Sequence, residues 1–311
     1  MNFLIKILFQ YCETSEFTLE FIEYFKNNLL DIYYSNENSN NKSHIININY
    51  EILKYLEKIK KYDLAIELYQ ILVTIEQDHL RLANIYQQIS DCYRKQNKTH
   101  SAFKYNVKAI NIYEKSSLDV LWLNNLLVLY MMNLSYSYKK EDYLSAIDNM
   151  RCIMSLNEKM NSTDAVELVS NNNFLGKLYF KNEQLDLALD YCTNALNTSF
   201  EAEVEDVELG RILNNLAQIW LKKGDYNQAW SYCSKSMEIS VKGSATSKAV
   251  IGDNYEIIGD IYRYYGEKQL SYCCYSKSLK QLETVVLQCS NDIKPLQHKI
   301  SNVHHSNSLI L

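Results

Sequence analysis

The sequence predicts an all-α protein, an α-solenoid of stacked antiparallel helix pairs, and three observations carry that reading. The first is a shortage of turn-formers. The 311 residues include 7 Gly and 1 Pro, where average usage would give roughly 22 and 16. Sheets, barrels and phosphate-binding loops need glycine at tight turns, so those folds are disfavoured. The second is spacing: apolar residues recur at intervals of three and four, as around Ile258, Ile261 and Tyr262, which puts them on one face of a helix. The third is repetition. A signature centred on alanine or serine follows a polar turn at Ala65, Ala102, Ala146, Ala188, Ala229 and Ser271, with steps of 37, 44, 42, 41 and 42 residues. A period of that length marks an array of small supersecondary units.

Taken in order, residues 1–49 read as a helical N-terminal extension with an Asn-rich linker. Phe17 to Tyr34 is amphipathic, and Ser35 to Ser43 is polar and of low complexity. The apolar start from Met1 to Cys12 is interrupted by Lys6 and lacks a small-residue cleavage site, so it is not read as an export signal. Residues 50–285 read as five to six helix pairs. The first helix of each pair carries an aliphatic residue, then a small one, then an aromatic three positions on: Ile89-Ser90 with Tyr93, Leu134-Ser135 with Tyr138, Leu175-Gly176 with Tyr179, Leu216-Ala217 with Trp220, and Ile258-Gly259 with Tyr262. The small residue lets this helix approach its partner closely, and the Ala or Ser after the turn does the same from the other side. The aromatic is expected to fill space between successive pairs. Gly224-Asp225 and Gly266-Glu267 supply turns, since glycine accepts the left-handed conformation that ends a helix. The first block, Ile52 to Ile75, has Leu56 in the aromatic's place. No pair can bury its apolar face alone, so the pairs must stack. Residues 286–311, with the only proline at Pro295, read as a capping helix and a tail that frays near His304.

Two stretches carry a family resemblance. Leu175-Gly176 with Tyr179, Ala188 and Ala195, and Leu216-Ala217 with Trp220, Gly224-Asp225-Tyr226 and Ala229, resemble the tetratricopeptide repeat. The run from Leu213 to Tyr226 is especially similar to the long repeats of kinesin light chains. The resemblance covers roughly residues 50 to 285, with repeats of 41–42 residues in place of the standard 34 and without a closing proline. It implies a right-handed superhelix with a concave inner surface, a peptide of another protein as the ligand, and an inner-face Asn just before the family's Leu as a clamp on the peptide backbone. Asn133, before Leu134, and Asn215, before Leu216, match that position.

Composition bounds the function. With 32 Lys+Arg against 37 Asp+Glu, the net charge of −5 argues against a nucleic-acid binder, which needs a concentrated positive face. A hydrophobic content of 47% fits a globular chain. No run reaches the roughly 18 apolar residues of a membrane span; the longest candidate, Val120 to Met132, is broken by Asn124 and Asn125. The expectation is a cytoplasmic protein with no membrane partner. Five Asn-X-Ser/Thr triplets are put down to a composition in which about one residue in ten is Asn. Of the eight cysteines, Cys152, Cys192, Cys233 and Cys273 step by 40, 41 and 40 residues. That reads as a small hydrophobe at equivalent places in a repeat rather than as a disulfide or zinc framework.

No phosphate-binding glycine loop, nucleophile elbow or His-Glu-x-x-His motif occurs. His298, His304 and His305 are the one group of histidines, too close to the chain end to be read as a metal site. No catalytic residue, metal or cofactor is expected. The candidate site is a peptide-binding face of the first helices, made of Asn133, Tyr136, Asn173, Lys177, Arg211, Asn214, Asn215, Gln218 and Lys222. An Asn or Gln amide donates and accepts at once, so it can hold an extended peptide by its backbone. Lys177 and Arg211 are mid-helix cations, whereas Lys222 sits near a helix end, where a lysine also complements the dipole. The last repeat turns acidic, with Asp253, Glu256 and Asp260 on the same face. The expected function is a non-catalytic scaffold or adaptor for a protein or peptide partner. The rival readings are a peptide-responsive regulatory receptor and an accessory repeat subunit of an enzyme on another chain. The sequence leaves the oligomeric state open.

Overall fold

The computed structural model describes residues 53–54, 56–116, 120–161, 164–242, 248–285 and 294–307. The expectations for residues 1–49 lie outside them. All regular structure among the described residues is helical: residues 53–54 and 56–58, which precede the turn at Lys60, and then, in order, α1 (Tyr62–Ile75), α2 (His79–Lys95), α3 (Thr99–Tyr113), α4 (Val120–Lys139), α5 (Tyr143–Lys159), α6 (Ala165–Lys181), α7 (Leu185–Ser199), α8 (Asp206–Lys223), α9 (Tyr226–Lys242), α10 (Lys248–Tyr264), α11 (Lys268–Val285) and α12 (Lys294–Asn307). Two compact units divide the chain, Met1–Lys140 and Glu141–Leu311. In the first, α1 packs on α2, α2 on α3 and α3 on α4. In the second, each helix from α5 to α12 packs on its successor, and α8 also touches both α6 and α10.

Helix starts and stops follow local chemistry. Asp78 accepts from the backbone N–H of Leu80 and Arg81 at 2.8 and 3.0 Å, and Asp164 caps Glu167 in the same way at 2.6 Å. Each cap satisfies amides that the first turn leaves without a partner. The turns show the period most plainly. Lys60, Asn97, Glu141, Glu183, Gly224 and Gly266 all have positive φ, between 59° and 85°. Each stands five residues before one of the Ala or Ser positions of the signature. A left-handed residue at the end of the first helix is therefore the fixed part of the turn. Glycine, which takes that conformation without strain, supplies it only in the last two.

Behind four of the turns, the small residue of the first helix meets the second; the same expectation for Ser135 on α4 fails, since that residue is exposed. Ser90 on α2 donates its hydroxyl to the Ala102 carbonyl on α3 at 2.9 Å. Gly176 on α6 lies so close to α7 that a Cβ there would run into the Cys192 Sγ and stand 3.2 Å from the Ala188 carbonyl. Ala217 on α8 shares a buried cluster with Ala229 and Cys233 on α9 and with Ile257 and Ile261 on α10. At Gly259 on α10 the neighbour is the buried Tyr275 ring of α11.

Two sequence readings need correcting. Cys192 and Cys233 do occupy equivalent, buried places, four residues after Ala188 and Ala229, but Tyr275 fills that place in the next pair. Cys152 is half-buried and Cys273 exposed; their steps of 40 residues are chance. Cys92, Cys152, Cys192, Cys233, Cys273 and Cys274 are all free, and burial pushes the thiols of Cys92, Cys192 and Cys233 up to about 12. The aromatic position also behaves differently from expectation in two pairs. Tyr93 stacks on Tyr105 at 5.5 Å and Tyr179 on Tyr191 at 5.3 Å, each within its own pair. Trp220 instead packs toward Ile257 and Ile261 of the following pair.

Candidate functional site

The first helices of the second unit are joined by amides. Asn215 on α8 donates to the Asn173 Oδ1 on α6 at 2.7 Å, and Asn173 donates to the Glu208 Oε1 on α8 at 2.9 Å. Glu208 also receives Arg211 at 3.2 Å. One turn along, Gln218 donates to Asn214 at 2.7 Å, and Asn214 donates to the Asn254 Oδ1 on α10 at 2.8 Å. Asn254 passes the chain on to Ser236, and Ser236 to the Gly210 carbonyl, at 2.8 and 2.7 Å. A side chain that both donates and accepts is what such a relay needs, which is why Asn recurs in it. Buried amides that each find a partner avoid the cost of desolvation without a hydrogen bond.

The expected site residues divide by exposure. Asn133, Asn173 and Asn214 are buried, at 4%, 5% and 3% of full exposure, and their amides are taken up by neighbouring helices. Asn133, in the first unit, accepts from Asn106 at 3.2 Å. Tyr136 is half-buried, stacks on Phe103 at 4.5 Å and pairs its hydroxyl with the His100 Nδ1 at 3.0 Å. Asn215 and Gln218 are half-buried; their side-chain N–H groups are engaged, while no hydrogen bond ends on the Asn215 Oδ1 or the Gln218 Oε1 among the described residues. Lys177, also half-buried, makes no ion pair there either. Arg211 is exposed, with Glu208 on one side only. Lys222 reaches back to Glu183 at 2.9 Å, holds that carboxyl below the usual carboxylate range, and lies 5.7 Å over the Phe180 ring.

Sequence reasoning missed Glu208, Asn254 and Ser236. Asn254, which is fully buried, left only a faint signal: the equivalent place is the apolar Ile212 one period earlier, but Asn171 the period before that. Among the described residues, no group of three His, Cys, Asp or Glu side chains is arranged to hold a metal ion. No helix among them is long and apolar enough to cross a membrane.

Solved structures resemble this chain to differing degrees. BtubC (BKLC) from P. vanneervenii is 14% identical with a TM-score of 0.51, over 76% of this chain and 94% of that one. A kinesin light chain with nearly identical TPR-like repeats from Podospora anserina is 12% identical with a TM-score of 0.45, over 63% and 95%. The C-terminal part of a TPR repeat-containing protein from Cytophaga hutchinsonii is 17% identical with a TM-score of 0.46, over 89% and 93%. No protein-family model and no curated protein matches the sequence. The fold is a tetratricopeptide-like array of helix pairs.

Proposed function

We propose that the chain is a non-catalytic scaffold that holds an extended segment of a partner protein against the first helices α6 and α8. One observation carries this reading. Asn215 uses its N–H group to tie α8 to α6, Gln218 uses its own to hold Asn214 one turn back on α8, and both keep their carbonyl oxygens unoccupied among the described residues, beside Lys177, which has no ion pair there, and Arg211. Two fixed acceptors can receive the backbone N–H groups of an extended peptide whatever its side chains, and the two cations favour a partner with acidic residues. Asn133, Asn173 and Asn214 hold the surface in shape rather than reach the ligand. The inner, concave placement of this surface and a cytoplasmic location belong to the same proposal.

Lys177 separates binding from folding best, because its replacement breaks no ion pair among the described residues. With a partner identified by affinity capture and mass spectrometry, Lys177→Glu combined with Arg211→Glu should weaken binding about tenfold or more in a titration, which is ~1.4 kcal/mol. Gln228→Ala, an exposed change near the start of α9, should leave affinity unchanged. Equal affinities for the parent and the double variant, with unchanged thermal melts, would move the site off α6 and α8.

A further inference from the structure

The last helix is seated on the array by a different chemistry from that joining the others. In α8, Asn214 and Gln218 stand a turn apart at the positions that reach toward the next first helix, and Asn214 bonds α10. The equivalent positions of α10, 42 residues on, are Glu256 and Asp260. What they meet is α12: the Lys299 ammonium lies 2.7 Å from the Glu256 Oε1 and 2.7 Å from the Asp260 Oδ2. Beneath it, Asp260 also accepts from the Tyr275 hydroxyl at 2.7 Å, and the ammonium sits 5.6 Å over the Tyr275 ring. Leu296 and Val303 of α12 complete an apolar cluster with Tyr275, against which Leu279, Leu282 and Ile300 also pack. Leu296, Lys299, Ile300 and Val303 fall at i, i+3, i+4 and i+7, the pattern of a helix laid into a surface.

We infer that the face formed by α10 and α11 is a docking site for an amphipathic helix bearing a lysine or arginine between two aliphatic residues, and that α12 is its intramolecular, displaceable occupant. α12 occupies the place that the first helix of a further pair would take, recognised by a carboxylate pair where the earlier pairs use amides. It is also lightly held. Of its described side chains, only Leu296 and Val303 are buried, whereas α8 buries seven residues along its eighteen. A helix with so few buried contacts lies at the low end of local stability and opens before the helices beneath it. When it opens, it leaves two carboxylates and an apolar strip that fit only a basic, amphipathic helix. This site is distinct from the α6–α8 face and stands whether or not that face binds a peptide.

The test uses the full chain and, as probe, a fluorescently labelled peptide of residues 294–307. In the parent, α12 competes with the probe. In Lys299→Glu, where α12 meets two like charges, the probe should bind at least tenfold more tightly. Adding Glu256→Lys to that variant should remove the gain. Hydrogen exchange on the parent should show the amides of 296–303 opening at least tenfold faster than those of 252–261. Equal probe affinity for parent and Lys299→Glu would overturn the proposal, as would a gain that survives Glu256→Lys. Protection of α12 equal to that of α10 would overturn it in a way that does not depend on how the variants fold. A parent that elutes as a dimer, with Lys299→Glu monomeric, would make the occupant a second copy's α12 and overturn the assignment to a separate partner.

Discussion

At the scale of single residues, the strongest constraint is a backbone angle. A left-handed residue ends the first helix of every pair from Lys60 to Gly266, and an L side chain in that conformation costs about 1–2 kcal/mol. Gly224 isolates this effect, because a Cβ built there would meet nothing within 4 Å. Gly224→Ala should therefore destabilise the chain by about 1 kcal/mol, after allowing for the lower entropy of the unfolded alanine chain. Lys60→Gly, at φ 60° on the surface, should have the opposite sign and a similar or smaller size. Denaturant titration of both variants checks this, and two shifts of the same sign would refute it. At the same scale the sequence was only half legible. The small residues at Gly176, Ala188 and Ala217 announced close helix contacts, because small size has one obvious use at that spacing. The asparagines did not announce their burial. An amide tells what it can bond and not with whom, so the sequence presents Asn173 and Asn214 as ligand contacts, whereas in the structure they bond Glu208 and Asn254.

At the scale of elements, helix identity and pairing followed from the period, while the seating of α12 did not. Pro295 near its start and a polar sequence suggested a cap; nothing in its composition identified Glu256 and Asp260 as its anchor. That anchor sets a pH dependence. Burial alone would lower the pKa of Lys299, but the facing Glu256 and Asp260 more than offset it and leave the value raised. Burial, then the bond to Asp260, push Tyr275 up as well, and Arg263 faces the same carboxylate at 3.5 Å. A raised folded-state value means a contribution that is full below the ordinary titration range of the free group and is lost as pH rises through the folded value. Both groups thus act in the same direction. The attachment of α12 should hold through neutral pH and weaken in strongly alkaline solution, above the ordinary lysine value of about 10.4. Proteolytic cleavage within 294–307, followed over a pH series with an alkali-stable protease, should accelerate at the alkaline end. Cleavage that is flat with pH, or faster near neutrality, would contradict the anchor.

At the scale of the whole molecule, stability is a sum of local terms, because each helix packs mainly on its neighbours in sequence. Trp122 lies in one compact unit, and Trp220 and Trp230 lie in the other. A variant carrying Trp220→Phe and Trp230→Phe would make fluorescence a reporter of the first unit, while far-UV circular dichroism reports every helix. The two denaturation curves should have different midpoints. Superimposable curves would mean that the chain unfolds as one cooperative body. The repeat register that made the architecture readable also explains why the boundary between the units was not. The signature continues across Lys140 and Glu141 with a spacing one residue shorter than elsewhere, Ser135 standing 11 residues before Ala146 where the other small residues stand 12 before theirs, a change too slight to mark a division.

The distribution of glycine among the turns gives the array a direction in time. Where the left-handed residue is Gly224 or Gly266, the bend can form before any packing exists to enforce it. At Lys60, Asn97, Glu141 and Glu183 it must wait for the neighbouring helices. The pairs α8–α9 and α10–α11 are therefore expected to form first and to template the rest backwards toward the amino terminus. These pairs leave the ribosome after α1 to α7, so the earlier turns of a nascent chain would stay open until α8 to α11 have emerged. Pulsed hydrogen-exchange labelling during refolding should find amides of α8 to α11 protected ahead of those in α2 and α3; the reverse order would mean that hydrophobic contact, and not turn geometry, begins the folding of this chain.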